Sequence, residues 1–291
     1  MVTLDFSDTL AYICASVGSH YGEAMATAEP SRLWWMRQPE VIALLDTAFF
    51  AAYKATDASL PNFGAEAGLD HHGWWWEVVS ATFENGVHAA HDAGLVPDSL
   101  SAHAALGSIN SLLINDGLFD HLVTHFTTSG AYAMYPDVEP ALRELREIRL
   151  PATGARPILG VVTNMTSKVN DTLASLDLAK FFDFVVDSHS VKAPKPDPAI
   201  FAVAATRAAD AAADLGLPWH DADSDDEVIT ALHVGDSMAD YHGAIAAPGF
   251  SPLLIHRTDA RKAVPPFVEK DCVIHTLDDL VTRLQALTEA R

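Results

Sequence analysis

The sequence predicts an α/β protein, a doubly wound parallel sheet with an inserted helical unit. Three observations carry that expectation. Short β-rich runs bounded by turn residues recur along the chain with helical patterns between them, the sign of βα units and a parallel sheet. The interval between the first run and the second is far too long for one crossover and holds only helical patterns. With 291 residues, 49% hydrophobic and 20% charged, the chain has the apolar content to offset ordering entropy and the length for one large or two ordinary domains.

Taken in order, the strand candidates are residues 2–6, 158–163, 184–187, 229–235 and 253–256, with an edge strand near 273–275. Helical patterns cover 138–149, 167–176, 198–214, 238–247 and 277–290. From residue 12 to about 130 no convincing strand occurs. That stretch carries helical patterns at 11–28, 31–55, 74–93 and 100–113 and a loop at 59–73. It reads as a helical domain, 12–129, inserted after the first strand, so that 1–11 and 130–291 close into one α/β core.

The 18 basic and 39 acidic side chains leave a net charge of −21 and no basic runs. This argues against nucleic acid and anionic membrane as partners, since both need clustered Lys and Arg to neutralise phosphates. Two cysteines, Cys14 and Cys272, make neither a disulfide framework nor a thiolate zinc site. A reducing compartment fits them. The first residues carry no basic, apolar leader pattern, and no apolar run approaches the ~20 residues that span a bilayer; the expectation is an intracellular, cytoplasmic protein. The acidic run at 221–227, DADSDDE, fails as a calcium loop because Asp226 and Leu232 stand where Gly and Glu are needed. It reads as a solvated loop. No Walker sequence, G-x-G-x-x-G or G-x-S-x-G occurs.

In an open parallel sheet, ligands bind beyond the carboxyl ends of the strands. The first strand runs through Asp5-Phe6 into Ser7-Asp8-Thr9, the second ends Thr163-Asn164, the third leads to Lys192-Ala-Pro-Lys195-Pro-Asp197, and the fourth ends His233-Val-Gly235-Asp236-Ser237 with Asp240 beyond. Each has an ordinary explanation: Asp5 or Asp236 could cap a helix, and Lys195 could be a surface lysine. Their joint occurrence at successive strand ends brings carboxylates, a hydroxyl and an ammonium to one mouth.

On four motifs the chain resembles the haloacid dehalogenase-like hydrolase superfamily: LDFSDTL at 4–10, VVTN at 161–164, KPDPAIF at 195–201 and HVGDSMAD at 233–240. The inserted helices match the cap domain of that superfamily. PNFG at 61–64 followed by WWWEVVSATF at 74–83 resembles the cap of a eukaryotic subgroup that includes the rhythmically expressed gene product of flies. The resemblance implies a phosphatase of small phosphorylated metabolites working at the junction of core and cap. Asp5 would be the nucleophile, passing through an aspartyl-phosphate. Mg²⁺ would be held by Asp5, the backbone carbonyl of Ser7 and Asp236, with Asp240 as a further ligand or anchor, an oxygen-rich set of the kind Mg²⁺ prefers. Thr163 and the Asn164 backbone N–H would bind a phosphoryl oxygen, and Lys195, preferred over Lys192, would offset charge in the transition state.

One departure stands out. The superfamily's phosphatases carry D-x-D-x-T, whose second Asp is the general acid, and this chain has Ser7 there and Asp8 one residue later. A serine hydroxyl cannot supply that proton efficiently, and the assistance is worth ~10²–10⁴-fold in rate. Slow hydrolysis, activity toward activated leaving groups only, and loss of catalysis with retained binding all remain open, as does carbon–halogen hydrolysis, whose halide needs no proton. His121 and His125 stand at i, i+4 but lack the Glu of H-E-x-x-H. His71 and His72 read as exposed, the tryptophans 34, 35 and 74–76 mainly as cap packing, and Arg32 and Arg37 as surface charges or anion contacts.

Overall fold

The computed structural model describes residues 1–151, 153–218, 231–257 and 263–289. In chain order, β1 (Val2–Leu4) and β2 (Ala11–Ile13) precede five principal helices, α1 (Val17–Ala28), α2 (Pro39–Ser59), α3 (His71–Asp92), α4 (Ala102–Asn115) and α5 (Leu118–His125). Then come β3 (Tyr132–Met134), α6 (Val138–Glu147), β4 (Leu159–Thr163), α7 (Val169–Ser175), β5 (Phe184–Asp187), α8 (Pro198–Asp214), β6 (Ala231–Gly235), α9 (Met238–Ala246), β7 (Phe250–Ile255), β8 (Val273–Ile274) and α10 (Leu277–Glu289).

Six strands form one parallel sheet in the order β5-β4-β1-β6-β7-β8. The chain winds outward from β1 through β4 to β5, then returns to the other side of β1 for β6 through β8. This reversal makes the carboxyl end of β1 a topological switch point. Strands β1 and β4 are wholly buried, as their apolar runs require in a sheet covered on both faces. Helix α8 covers one face with Ile200, Ala204, Ala208 and Ala212, packed among Val162, Phe184 and Val186. The four-residue spacing puts these side chains on one stripe of the helix.

By compactness the chain divides into Met1–Tyr12 with Ala133–Arg291, and Ile13–Tyr132. The second unit is helical and packs around Trp35, Leu45, Trp74, Phe83, Ile109 and Phe119. Its helices begin where local chemistry dictates. The Asp70 carboxylate accepts from Gly73 N–H at 2.8 Å and the Ser101 hydroxyl from Ala104 N–H at 3.2 Å, satisfying donors that a helix leaves orphaned.

The structure corrects several sequence boundaries. The stretch expected to be free of strands opens with β2, which pairs with β3 in a two-stranded sheet. A three-residue strand whose partner lies some 120 residues away leaves no local pattern. The expected helix at 31–55 breaks into a short turn (Pro30–Leu33), a 3₁₀ turn (Trp34–Arg37) and α2. Pro39 cannot donate, and it pushes Gln38 to an extended conformation (φ −66°, ψ 137°). Within the expected loop at 59–73 lies a short helical turn, Pro61–Gly64, with Asn62 and Phe63 at positive φ. Strand β7 begins at Phe250, earlier than its sequence suggests, because Pro252 is tolerated beside β6. The acidic run at 221–227 and the start of the strand expected at 229 lie outside the described residues.

Candidate active site

The chain converges on the switch point because each strand ends in a polar residue. Asp5 follows β1, and its N–H donates to Val234 O at 2.8 Å, continuing the ladder with β6 so that its carboxylate emerges at the sheet's carboxyl edge. Thr163 ends β4, and Asp236 follows β6. At Gly235 a Cβ would lie 2.1 Å from Asp240 Cγ; glycine is what lets that carboxyl fold back against the strand end. Ser237 and Asp240 form a capping box that starts α9. Lys195 arrives from the segment after β5, and the Asn164 amide grips its backbone at two points, Oδ1 accepting from Lys195 N–H at 2.7 Å and Nδ2 donating to Lys195 O at 3.0 Å.

These side chains meet in a buried ionic network. Lys195, 5% exposed, donates to Val162 O at 2.8 Å and to Asp240 Oδ1 at 2.5 Å, and lies 2.8 Å from Asp5 Oδ1. Asp240 is saturated. Its Oδ1 also faces His233 Nε2 at 3.0 Å, while Oδ2 accepts from the Ser237 hydroxyl at 2.5 Å and the Ser237 N–H at 3.1 Å. An ionised Asp240 can only accept, so His233 carries its proton on Nε2. Its Nδ1, 2.9 Å from Thr3 Oγ1, then accepts from that hydroxyl. The line Thr3–His233–Asp240–Lys195–Asp5 thus runs from the sheet interior to its edge.

The charges sort themselves accordingly. Burial alone would raise Asp240, but Lys195 and His233 hold it well below the usual carboxylate range. Burial would lower Lys195, but Asp5 and Asp240 raise it above an ordinary lysine. Asp5 is pushed up, by burial first and by Asp240, against the opposing pull of Lys195. Asp236 remains exposed, yet crowding by protein and then repulsion from Asp5, Asp240 and Asp8 push its carboxyl up to about 7.

One ammonium therefore stands against four carboxylates, and Asp5, Asp236 and Asp240 each offer an oxygen within 4.8 Å of the others. Asp5 Oδ1 is buried, is paired electrostatically with the Lys195 ammonium at 2.8 Å and takes no other partner among the described residues, so this oxygen keeps lone-pair capacity for a cation. The all-oxygen donor set and its excess negative charge fit a hard divalent ion. Asp240, with both oxygens engaged, is built as the anchor that orients Lys195.

Of the other residues singled out in the sequence, Ser7 is exposed with its hydroxyl 3.9 Å from the Met165 sulfur. Asp8 adopts positive φ in a turn closed by its N–H on Ala11 O at 2.8 Å. Lys192, also at positive φ, ends the turn Ser188–Val191 and takes no part in the network around Asp5. In the helical unit Arg37 pairs with Glu23 at 2.7 Å, and Arg32 contacts Ser108 at 3.1 Å and Glu29 at 3.6 Å. Trp35 and Trp74 are fully buried with their indole N–H groups on backbone carbonyls, whereas Trp34 is exposed. His72 lies 3.4 Å from Asp120. Sequence reasoning missed His233 and the Asn164 side chain. The available signal for His233 was a lone polar residue inside the apolar strand ALHVG.

The comparisons with known proteins agree with this architecture. A family model described as a haloacid dehalogenase-like hydrolase matches residues 2–248. The human haloacid dehalogenase-like hydrolase domain-containing protein 3 is 30% identical over 292 residues, covering 99% of this chain and 94% of that protein. The rhythmically expressed gene 2 protein of Drosophila melanogaster is 23% identical, covering 96% and 92%. Over a shorter stretch of 83 residues, 28% of this chain and 32% of that protein, the phosphoglycolate phosphatase of Photorhabdus laumondii subsp. laumondii is 35% identical. Among solved structures, the HAD-hydrolase YfnB from Bacillus subtilis bound to magnesium shares the fold, with a TM-score of 0.53 at 16% identity and 97% coverage of both chains.

Proposed function

The chain belongs to the haloacid dehalogenase-like hydrolase family, and from that premise we propose that it is a Mg²⁺-dependent phosphatase of small phosphorylated metabolites with Asp5 as nucleophile. The observation that carries this reading is the meeting of Asp5, Thr163, Lys195, Asp236 and Asp240 beyond the carboxyl ends of β1, β4 and β6. The stretch of likeness to a phosphoglycolate phosphatase supports it.

Mg²⁺, held by Asp5, Asp236 and the Ser7 carbonyl, would polarise the phosphoryl group and offset its charge. Asp5 attacks phosphorus; a bond forms from its carboxylate oxygen as the bond from phosphorus to the ester oxygen breaks, and the leaving group takes a proton from solvent. Water then attacks the aspartyl-phosphate at phosphorus, returning the carboxylate and releasing phosphate. Lys195, pinned by Asp240 and Val162 O, offsets charge on nucleophile and phosphoryl oxygens without moving, and preorganised charge of this kind costs no rearrangement during reaction. The Thr163 hydroxyl and the Asn164 N–H bind a phosphoryl oxygen. Ser7, set against a thioether, has no proton to give near neutral pH, so leaving groups that need no protonation react fastest.

The test is hydrolysis of p-nitrophenyl phosphate, with and without Mg²⁺, by the wild-type protein and Asp5→Asn. Mg²⁺-dependent turnover that vanishes in the variant is expected; equal turnover in both proteins overturns the nucleophile assignment. A second reading, a binding protein that keeps the ion site but not the chemistry, is favoured by the same Ser7 observation. Ser7→Asp separates the two: a gain of ~10²–10⁴-fold marks a competent site lacking only its acid, and silence in both proteins favours the binding reading.

A further inference from the structure

We propose that the helical unit holds a second metal site, built from His20, His121 and His125 and selective for a transition-metal dication such as Zn²⁺. His20 lies on α1, and the other two stand one turn apart on α5. The ring of His20 is fixed from behind. Its Nε2 lies 2.6 Å from Cys14 O, and a carbonyl only accepts, so Nε2 carries the proton and Nδ1 presents a bare lone pair. That lone pair faces His125 Nε2 at 3.0 Å. An outer imidazole N–H tied to a backbone carbonyl, with the inner nitrogen bare, is the arrangement that orients metal-binding histidines.

The position of His125 is also made. A Cβ at Gly130 would lie 2.9 Å from His125 Nδ1, so the ring occupies space that only glycine leaves. Burial, and then the neighbouring His20 and His121, hold His125 below the ordinary histidine range; the ring is neutral and able to ligate. Two nitrogens 3.0 Å apart are near the separation of about 3.3 Å that tetrahedral zinc with bonds of ~2.0–2.1 Å imposes. Ligation requires His125 to carry its proton on Nδ1 instead of Nε2, a change between neutral tautomers.

His121 supplies the third nitrogen. Its ring lies 6.4 Å from that of His125, centroid to centroid, and nearly parallel at 23°. Among the described residues the aspartate cluster at the sheet edge is the only set of three metal-ligating side chains already in mutual range, so His121 closes onto the pair by turning its side chain. It is exposed and free of core packing, and i, i+4 histidines share a helix face. Three imidazoles select zinc, nickel, cobalt or copper and reject Mg²⁺, which demands oxygen. The two sites are therefore distinguishable by chemistry. Ligation would tie α1 to α5 across 105 residues of sequence.

The experiment is calorimetric titration of the full chain with Zn²⁺ in excess Mg²⁺, using wild type, Asp236→Asn, His125→Gln and His121→Ala, with thermal melting beside it. A zinc equivalent that survives Asp236→Asn is expected, lost in His125→Gln and weakened at least tenfold in His121→Ala, with melting of the wild type raised by Zn²⁺. Glutamine can still donate to His20, so a purely structural hydrogen bond would survive His125→Gln while zinc binding would not. Identical zinc isotherms for wild type and His125→Gln overturn the site, as does zinc binding that disappears with Asp236→Asn. Because His121 is exposed, its variant folds, and unchanged affinity there overturns the three-histidine assignment.

Discussion

The two units of this chain bury opposite kinds of side chain. Among the described residues every buried Asp, Lys, Arg and His, namely Asp5, Asp187, Lys195, the neutral His233, Asp240 and Arg257, belongs to the α/β unit. The helical unit buries tryptophans, phenylalanines, Tyr21 and aliphatics, with Thr56, Thr82 and Thr127 beside them. The difference teaches what each interior is for. Apolar contacts are non-directional and roughly proportional to area, so an apolar interior specifies volume and tolerates rearrangement. A buried ionic network is directional, since each donor and acceptor must be satisfied in place, and it fixes the position of one ammonium to a fraction of an ångström at the cost of stability.

The sharpest way to break the contrast is to make a near-isosteric change in each unit. Asp240→Asn keeps shape but strips the negative charge that faces Lys195 and His233. Its amide must aim a donor at Lys195, His233 or the Ser237 N–H, and a loss of ~3–5 kcal/mol is expected in denaturant unfolding, together with loss of turnover. Leu45→Met, at a fully buried position of the helical core, should cost less than ~1.5 kcal/mol and leave turnover intact, because methionine fills irregular space in a comparable volume. Similar costs in the two variants would erase the distinction between the interiors.

The same contrast explains what was legible in the sequence. The strands beside the site were readable because a doubly covered parallel strand is a continuous apolar run, and Asp5, Thr163 and Asp236 stand at the ends of such runs. Helix α8 was readable to the residue, from Pro198 at its start to Asp214. What stayed hidden was set by distant partners. β2 exists because of β3, and nothing in Ala-Tyr-Ile announces it. His233 reads as an odd residue in a strand until Thr3 and Asp240 are seen on either side of its ring. The Asn164 side chain, which grips the Lys195 backbone, was passed over in favour of its N–H. Arg257, buried against Asp137 at 2.6 Å and donating to Thr9 O at 2.5 Å, steadies the turn after Asp5 and could not be paired from sequence 120 and 248 residues away.

A smaller effect sharpens the comparison within the α/β unit, between its saturated carboxylate and its repelled one. Asp240 lies below its ordinary pKa, so it favours the folded state above the unfolded carboxylate range, and that support is lost as acid protonates it. Asp236 has the opposite sign. Pushed up to about 7 from the usual 3.8, it binds a proton more tightly when folded, so its contribution is complete below about pH 4 and lost as pH rises toward about 7. In chelator, the wild type should therefore lose stability relative to Asp236→Asn over that interval, and the difference should level off above it. Because Asp236 is open to water, screening limits the effect to at most about 1 kcal/mol, a shift of roughly 2–4 °C in melting temperature. Parallel pH profiles for the two proteins would mean that Asp236 feels no crowding from Asp5, Asp8 and Asp240, and that the excess negative charge said to suit a cation is dissipated in solvent.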